Sequence, residues 1–416
     1  MISVVFVYVK ILLKQIINLP KLYIYVILLL QILVVNFMKI IGVIAEYNPF
    51  HLGHLYQINK IKEMYPDSII IVVVSSCFTE RGEVSVMNKW NKTRVCLDNN
   101  IDIVLELPFL YATQSSDIFA KGAVSILNKM GIDTLVFGTE SDNIDNLKKM
   151  ALVQLNDDNY NVLVKSYLDK GVNYPTALSK AIYDIMKVDI SKPNDLLALS
   201  YIKQVMLINK DIDIVSIKRT NDYHGKLINN NIVNASLIRE YLLDNKDISN
   251  FIPNYDINFI YKDLNVEKYF NLLKYQIINN IDNLDKFLDV NEGIENRIKK
   301  YIYTSNNWNE LVTNVKTKRY TYNKINRMFI HILTNLTKED VNKFNIDYVR
   351  VLGFNSNGKR YLNNIKKNID VKIVTNYKEG ISKLFDLEYK INCIYATCTD
   401  VSLIKKEFCH NPIIVD

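Results

Sequence analysis

Two histidines, His51 and His54, stand one helical turn apart with Gly53 between them. They follow an apolar run, Ile40–Ala45, and the turn-forming pair Asn48-Pro49. That order reads as a buried strand, a loop, and then a helix that opens at His-x-Gly-His. A helix N-terminus at the carboxyl edge of a parallel sheet offers free N–H groups and a positive dipole end to a phosphate. Two imidazoles at that point can donate hydrogen bonds to oxygens that gain negative charge during attack on an α-phosphorus. Gly53 has no side chain, so a base or ribose can approach the backbone there. The residues by themselves thus point to nucleotide binding, with His51 and His54 as candidate catalytic groups.

Elements that position such a pair recur along the chain. Continuous apolar runs at Ile40–Ala45, Ile69–Val74, Ile103–Leu107, Thr134–Phe137 and Ile212–Ile217 read as parallel strands covered on both faces. Helical stretches lie between them, at about 54–64, 90–99, 116–130 and 142–154. A longer helical insertion spans about 158–187, and a further helix opens at Pro193. The expectation is an α/β fold with a Rossmann-like, doubly wound parallel sheet over 38–239. The remainder, 240–416, is expected to be mostly helical to about 345. It then ends in a small α/β terminus with strands at Val371–Thr375 and Ile394–Ala396.

Composition bounds the rest. The chain has 416 residues, 49% of them apolar and 23% charged, so it buries sizeable cores and is no disordered or collagen-like chain. Its 51 Lys and Arg exceed 44 Asp and Glu by 7, which permits a polyanionic partner. Abundant Tyr, Ile, Asn and Lys fit the codon bias of an AT-rich genome. Five scattered cysteines form no disulfide framework and suit a reducing cytoplasm. Cys393, Cys398, Cys409 and His410 cluster without a paired C-x-x-C, so no metal ligand is assigned. The uncharged stretch Leu22 to Met38 has the minimum length for a membrane span. The strand pattern beginning at Met38 leaves no linker after it, so residues 1–37 are read as an upstream extension rather than an anchor.

The string Glu46-Tyr47-Asn48-Pro49-Phe50-His51-x-Gly53-His54 resembles HIGH-type nucleotidyltransferases and, more narrowly, the tRNA(Met) cytidine acetate ligase family. Further matching strings are Phe78-x-x-Arg81-Gly82-Glu83, Lys89-Trp90, Glu106-Leu107-Pro108-Phe109 and Gln114-Ser115-x-Asp117-x-Phe119. Phe137-Gly138-x-Glu140, Ser191-Lys192-Pro193-Asn194, Arg219, Lys318-Arg319-Tyr320-Thr321 and Arg350-Val351-Leu352-Gly353-Phe354 follow. The resemblance implies a cytoplasmic enzyme that activates acetate with ATP, releases pyrophosphate, and passes acetyl to N4 of the wobble cytidine of elongator tRNA(Met). Mg²⁺ is expected with ATP on chemical grounds, its ligands unassigned. No stable protein partner is inferred, and membrane association is not expected.

Carried over, the ATP site is Ile44-Ala45-Glu46-Tyr47-Asn48-Pro49-Phe50-His51-Leu52-Gly53-His54-Leu55-Tyr56-Gln57 with Gly138, Asn194 and Arg219. Gly138 at a strand end would leave room for adenosine. Asn194 at a helix start would read a ribose or base edge, and the Arg219 guanidinium would hold phosphate. Arg81 and Lys89 are candidates for acetate or pyrophosphate. Asn234-Ala235-Ser236-Leu237-Ile238-Arg239 fills the slot of a phosphate loop, with Ser236 and Arg239 retained and Asn234 in place of the first serine. Lys318, Arg319 and Tyr320 are candidates for tRNA, the cations for phosphates and the ring for a splayed base. Two other functions fit parts of this pattern. A small-molecule adenylyltransferase would need no long second half, and a non-catalytic, nucleotide-dependent RNA-binding protein would need no histidine pair.

Overall fold

The computed structural model describes residues 38–141, 143–219 and 231–416. The reading of residues 1–37 lies outside them. Among the described residues no helix is long and apolar enough to cross a membrane.

Eight strands form one sheet: β1 (Ile40–Ala45), β2 (Ile69–Ser75), β3 (Ile103–Leu107), β4 (Thr134–Thr139), β5 (Asp213–Lys218), β6 (Tyr348–Asn355), β7 (Lys372–Val374) and β8 (Ile413–Val415). Their order is β5-β4-β1-β2-β3-β6-β7, with β8 also paired to β6. Strands β1 to β5 run parallel, and β6 joins β3 antiparallel. Because side chains alternate across a strand, neighbours enter opposite layers. Ile40, Ile69, Ile71 and Val73 face one layer, and Ile41, Ile70, Val72 and Val74 the other. The first layer is covered by helices Ser116–Lys129, Ile144–Asn156 and Pro193–Ile208. Helices Leu52–Met64 and Lys89–Asp98 cover the second, together with much of the chain after residue 239. Both faces are therefore dry, which is why the first four strands read as largely apolar runs, Glu106 on β3 being the one charged member.

Two expectations are corrected. The boundary drawn at 239/240 does not divide the sheet, since β6, β7 and β8 extend the same sheet beyond β3. Ile394–Ala396 is no strand but the end of helix Lys383–Ala396. A three-residue apolar run cannot report a period, and this helix is buried on enough of its surface to hide one. The insertion at 158–187 is helical, as expected, and consists of two helices, Asp158–Asp169 and Tyr174–Met186, broken at Lys170-Gly171, where glycine takes φ +79°.

A candidate active site at the sheet's switch point

Strand β1 lies between β2 and β4, so the chain winds away in both directions from its carboxyl end. That is where an open α/β sheet forms a crevice. The crevice holds a pocket of about 200 Å³.

At its floor, helix Leu52–Met64 begins with a capping box built from histidines. His51 is the N-cap, and its Nδ1 accepts the Gly53 N–H at 3.0 Å. His54, three residues on, returns its Nδ1 to the His51 N–H at 3.2 Å. The spacing that reads as one turn is therefore also N-cap and N3 spacing. The rings lie 3.8 Å apart, tilted by 33°. Burial, with Arg219 and Arg239 adding to it, holds His51 down at about 3. Burial, His51 and Arg219 hold His54 well below the usual imidazole value. Both rings are neutral, and a neutral imidazole whose Nδ1 accepts carries its proton on Nε2. The backbone thus sets both tautomers and leaves both Nε2–H groups as donors. Gly53 serves this geometry too: an added Cβ would sit 2.8 Å from Cε1 of His51.

Further candidates meet here from distant segments. Ile44, Ala45, Glu46, Tyr47, Asn48, His51, His54, Gln57, Arg81, Gly138, Asn194, Arg219, Ser236 and Arg239 all line the pocket. Glu46 accepts the Glu80 N–H at 2.6 Å, and burial pushes its carboxyl up to about 7. Arg239 donates to the Asn48 carbonyl at 2.7 Å and to Glu83 at 2.7 Å, fixing the loop before His51. Asp195 accepts the Glu140 and Ser141 N–H groups at 2.9 and 3.1 Å. Glu140 accepts the Asn194 amide at 2.8 Å. Together these bonds tie the exit of β4 to the start of helix Pro193–Ile208. Burial lowers the Arg219 guanidinium from its ordinary value, and that side chain lies across Gly138, 3.3 Å from where a Cβ would stand. Room at Gly138 is thus room for Arg219.

Other candidates lie elsewhere. Gly53 and Tyr56 border a small adjoining cavity that shares His54, Gln57, Gly138 and Arg219 with the pocket. Pro49, Phe50, Leu52 and Leu55 line neither; Phe50 is buried against Tyr47, 4.7 Å between ring centroids. Lys89 is withdrawn from the site altogether. It is buried in ion pairs with Glu106 at 2.8 Å and Glu407 at 2.9 Å, partners from distant parts of the sequence. Tyr320 cannot stack on a base, because its ring is 2% exposed and its hydroxyl donates to the Asn291 carbonyl at 2.6 Å. Lys318 and Arg319 are exposed beside it.

The pocket also contains residues that received no role: Glu80, Glu83, Phe119, Phe137, Leu197, Tyr201, Asn234 and Ala235. One signal was available. Asn194, Leu197 and Tyr201 sit at i, i+3 and i+7 on one helix and so share a face.

A family model described as HIGH Nucleotidyl Transferase matches residues 38–408. Fold, histidine pair and match together define a HIGH-type nucleotidyl transferase. Proteins named tRNA(Met) cytidine acetate ligase are close relatives. The one from Fusobacterium nucleatum is 35% identical over 389 residues, 89% of this chain and 97% of that protein. The one from Anoxybacillus flavithermus is 36% identical over 392 residues, 89% and 96% of the two chains. The crystal structure of apo Thermotoga maritima TmcAL superposes with a TM-score of 0.83 at 28% identity, covering 91% of this chain and 100% of that one. A second form of that protein, bound with alpha-thio ATP, gives 0.81. The chain belongs to the tRNA(Met) cytidine acetate ligase family, and it is a ligase.

Proposed function

We propose that the protein forms acetyl-adenylate from ATP and acetate and transfers the acetyl group to N4 of the wobble cytidine of elongator tRNA(Met). The observation that carries this reading is the reciprocal capping of His51 and His54, which leaves two neutral Nε2–H donors at a helix N-terminus beside Arg219. The relatives' name supports the choice of acetate and tRNA, and the ATP analogue in the Thermotoga protein supports the nucleotide.

An acetate oxygen attacks the α-phosphorus, the bond to the β-phosphate oxygen breaks, and pyrophosphate leaves. Charge builds on the α-phosphate oxygens, where His51 and His54 donate and Arg219 adds a fixed positive charge. The cytidine amine then attacks the acetyl carbon, AMP leaves, and the amine loses a proton. Mg²⁺ is expected with ATP on chemical grounds, its ligands unassigned. The remaining site candidates keep supporting roles. Asn194 would read the nucleoside, and Ser236 and Arg239 would shape the phosphate loop. Lys318 and Arg319 would meet tRNA phosphates.

The test supplies protein with ATP, Mg²⁺, labelled acetate and total tRNA, against an acetyl-CoA control. Label that enters tRNA only with ATP and acetate is the expected result, and nuclease mapping then locates it. Pyrophosphate release with a small phosphate ester, and no labelled tRNA, would instead identify a cofactor adenylyltransferase. Absence of any ATP–pyrophosphate exchange would mark a binding protein.

A further inference from the structure

The helical insertion between β4 and β5 contributes no side chain to the pocket, yet its middle turn faces the second half of the chain. Lys170 and Gly171, which separate helices Asp158–Asp169 and Tyr174–Met186, line a cleft of about 360 Å³ together with Lys318 and Arg319. A Cβ on Gly171 would stand 4.0 Å from Nε of Arg319, so the two loops meet there.

Both walls are held in place. Arg297 donates to the carbonyls of Val315 at 3.0 Å and Asn314 at 2.6 Å, which pins the chain before Lys318. The buried Tyr320, bonded to the Asn291 carbonyl, pins it again just after Arg319. On the insertion, the Tyr167 hydroxyl donates to Asp184 at 2.6 Å and joins the two helices. The ammonium groups of Lys170 and Lys180 each lie 5.4 Å from the Tyr167 ring. Charge is left over on these fixed walls. Among the described residues Lys170 and Lys318 make no ion pair, and Arg319 reaches Glu292, the cleft's one carboxylate, only at 3.8 Å with both side chains half exposed. Cations already held in place lose little freedom on meeting an anion. Cations on two facing walls suit a ligand charged along its length, as a sugar–phosphate backbone is.

We propose that the insertion is the second wall of the tRNA site, with the Lys170-Gly171 turn and the Lys318-Arg319 loop closing on the RNA backbone from opposite sides. The inference rests on the reading that tRNA accepts the acetyl group. A surface path joins this cleft to the chemistry. From Tyr167 a second cavity of about 530 Å³ runs to Ser191 and Leu196 at the start of helix Pro193–Ile208. Asn194 and Leu197, on that same start, line the active pocket. The carboxylates of this second cavity, Asp184 and Asp189, accept the Tyr167 and Ser191 hydroxyls, so phosphates seat in the cleft and not there.

Fluorescence anisotropy of an elongator tRNA(Met) transcript with the full chain, over a range of salt concentrations, tests the assignment. Lys170→Gln should weaken binding about ten-fold at about 0.1 M salt and lower the slope of log affinity against log salt by about one, the counterion release of a single phosphate. Lys165→Gln, exposed on the same helix but outside the cleft, should bind within about two-fold of native. Acetate-dependent ATP–pyrophosphate exchange should be unchanged in both, since neither residue lines the pocket. Lys170→Gln with native affinity and slope overturns the cleft, and so does an equal loss in Lys165→Gln, which would report a diffuse field. Loss of exchange along with binding also overturns it, because the turn would then support the fold. Displacement of the transcript by equimolar tripolyphosphate would give the cleft to a free polyphosphate. Native protein that carries out exchange yet binds no tRNA overturns the tRNA reading, and the cleft with it.

Discussion

His54 joins the backbone geometry of a helix start to a hydrogen-bond donor at the reacting phosphate. Under the proposed mechanism His54→Ala should lower acetate-dependent ATP–pyrophosphate exchange by about two to three powers of ten, the usual cost of losing one transition-state donor. Exchange within ten-fold of native would refute the role. Burial of these neutral rings also ties stability to pH. The unfolded chain protonates His51 near the ordinary imidazole value of 6.5, whereas the folded chain does so only near 3. As pH falls below 6.5 the unfolded state takes up a proton that the folded state refuses, so stability present above that pH is lost progressively down to about 3. Urea midpoints at pH 7, 5 and 4 should fall in that order, and less steeply in His51→Asn, whose side chain can still cap.

At the scale of elements, the pocket depends on the carboxyl ends of β1 and β2 staying in register. Lys92, fully buried on helix Lys89–Asp98, donates to the carbonyls of Glu46 at 2.7 Å and Ser75 at 2.8 Å, the residues at those two ends. Burial lowers its ammonium to about 8. Lys92→Met removes the donor and leaves carbonyls buried without it. An unfolding free energy lower by about 3 kcal/mol is expected in urea, with the slope unchanged. A change below about 1 kcal/mol would show that the carbonyls find other donors.

For the whole molecule, the second half is built into the first. Arg350 on β6 is fully buried and donates to Glu106 of β3 at 3.1 Å and to Glu407 at 2.6 Å, and Lys89 bonds the same two carboxylates. Two cations and two anions balance there, so removing the later partners strands buried charge. A fragment of residues 38–239 should therefore show no cooperative unfolding transition by near-ultraviolet circular dichroism. A sharp transition would make that region an independent domain. Helix Tyr322–Leu333, which follows Lys318 and Arg319, touches the site as well, since its Arg327 donates to the Glu80 carbonyl at 3.0 Å within the loop that lines the pocket. Lys318 and Arg319 stay exposed. Replacing both by Ala should weaken tRNA binding and flatten its salt dependence while acetate-dependent exchange is kept. Loss of both together would mean that the segment supports the pocket instead.

Local chemistry was legible in the chain because it is carried by neighbours in sequence. His51, Gly53 and His54 lie within one turn, and β1 to β4 announce themselves because strands dry on both faces hold apolar residues at nearly every position. Arg219 and Asn194 were reached through the family resemblance rather than through their own neighbours, and both line the pocket. Tertiary structure alone decided which charges face the pocket. Lys89 and Arg81 read alike in sequence, yet one is consumed by Glu106 and Glu407 and the other lines the pocket. Tyr320 was read as a ring for a base, and packing buries it while leaving Tyr322, two residues on, exposed. The join of β3 to β6 escaped notice because an antiparallel partner some 250 residues away leaves no period in either strand. The tautomers of the two histidines likewise follow from backbone N–H groups whose direction exists only once the helix has formed.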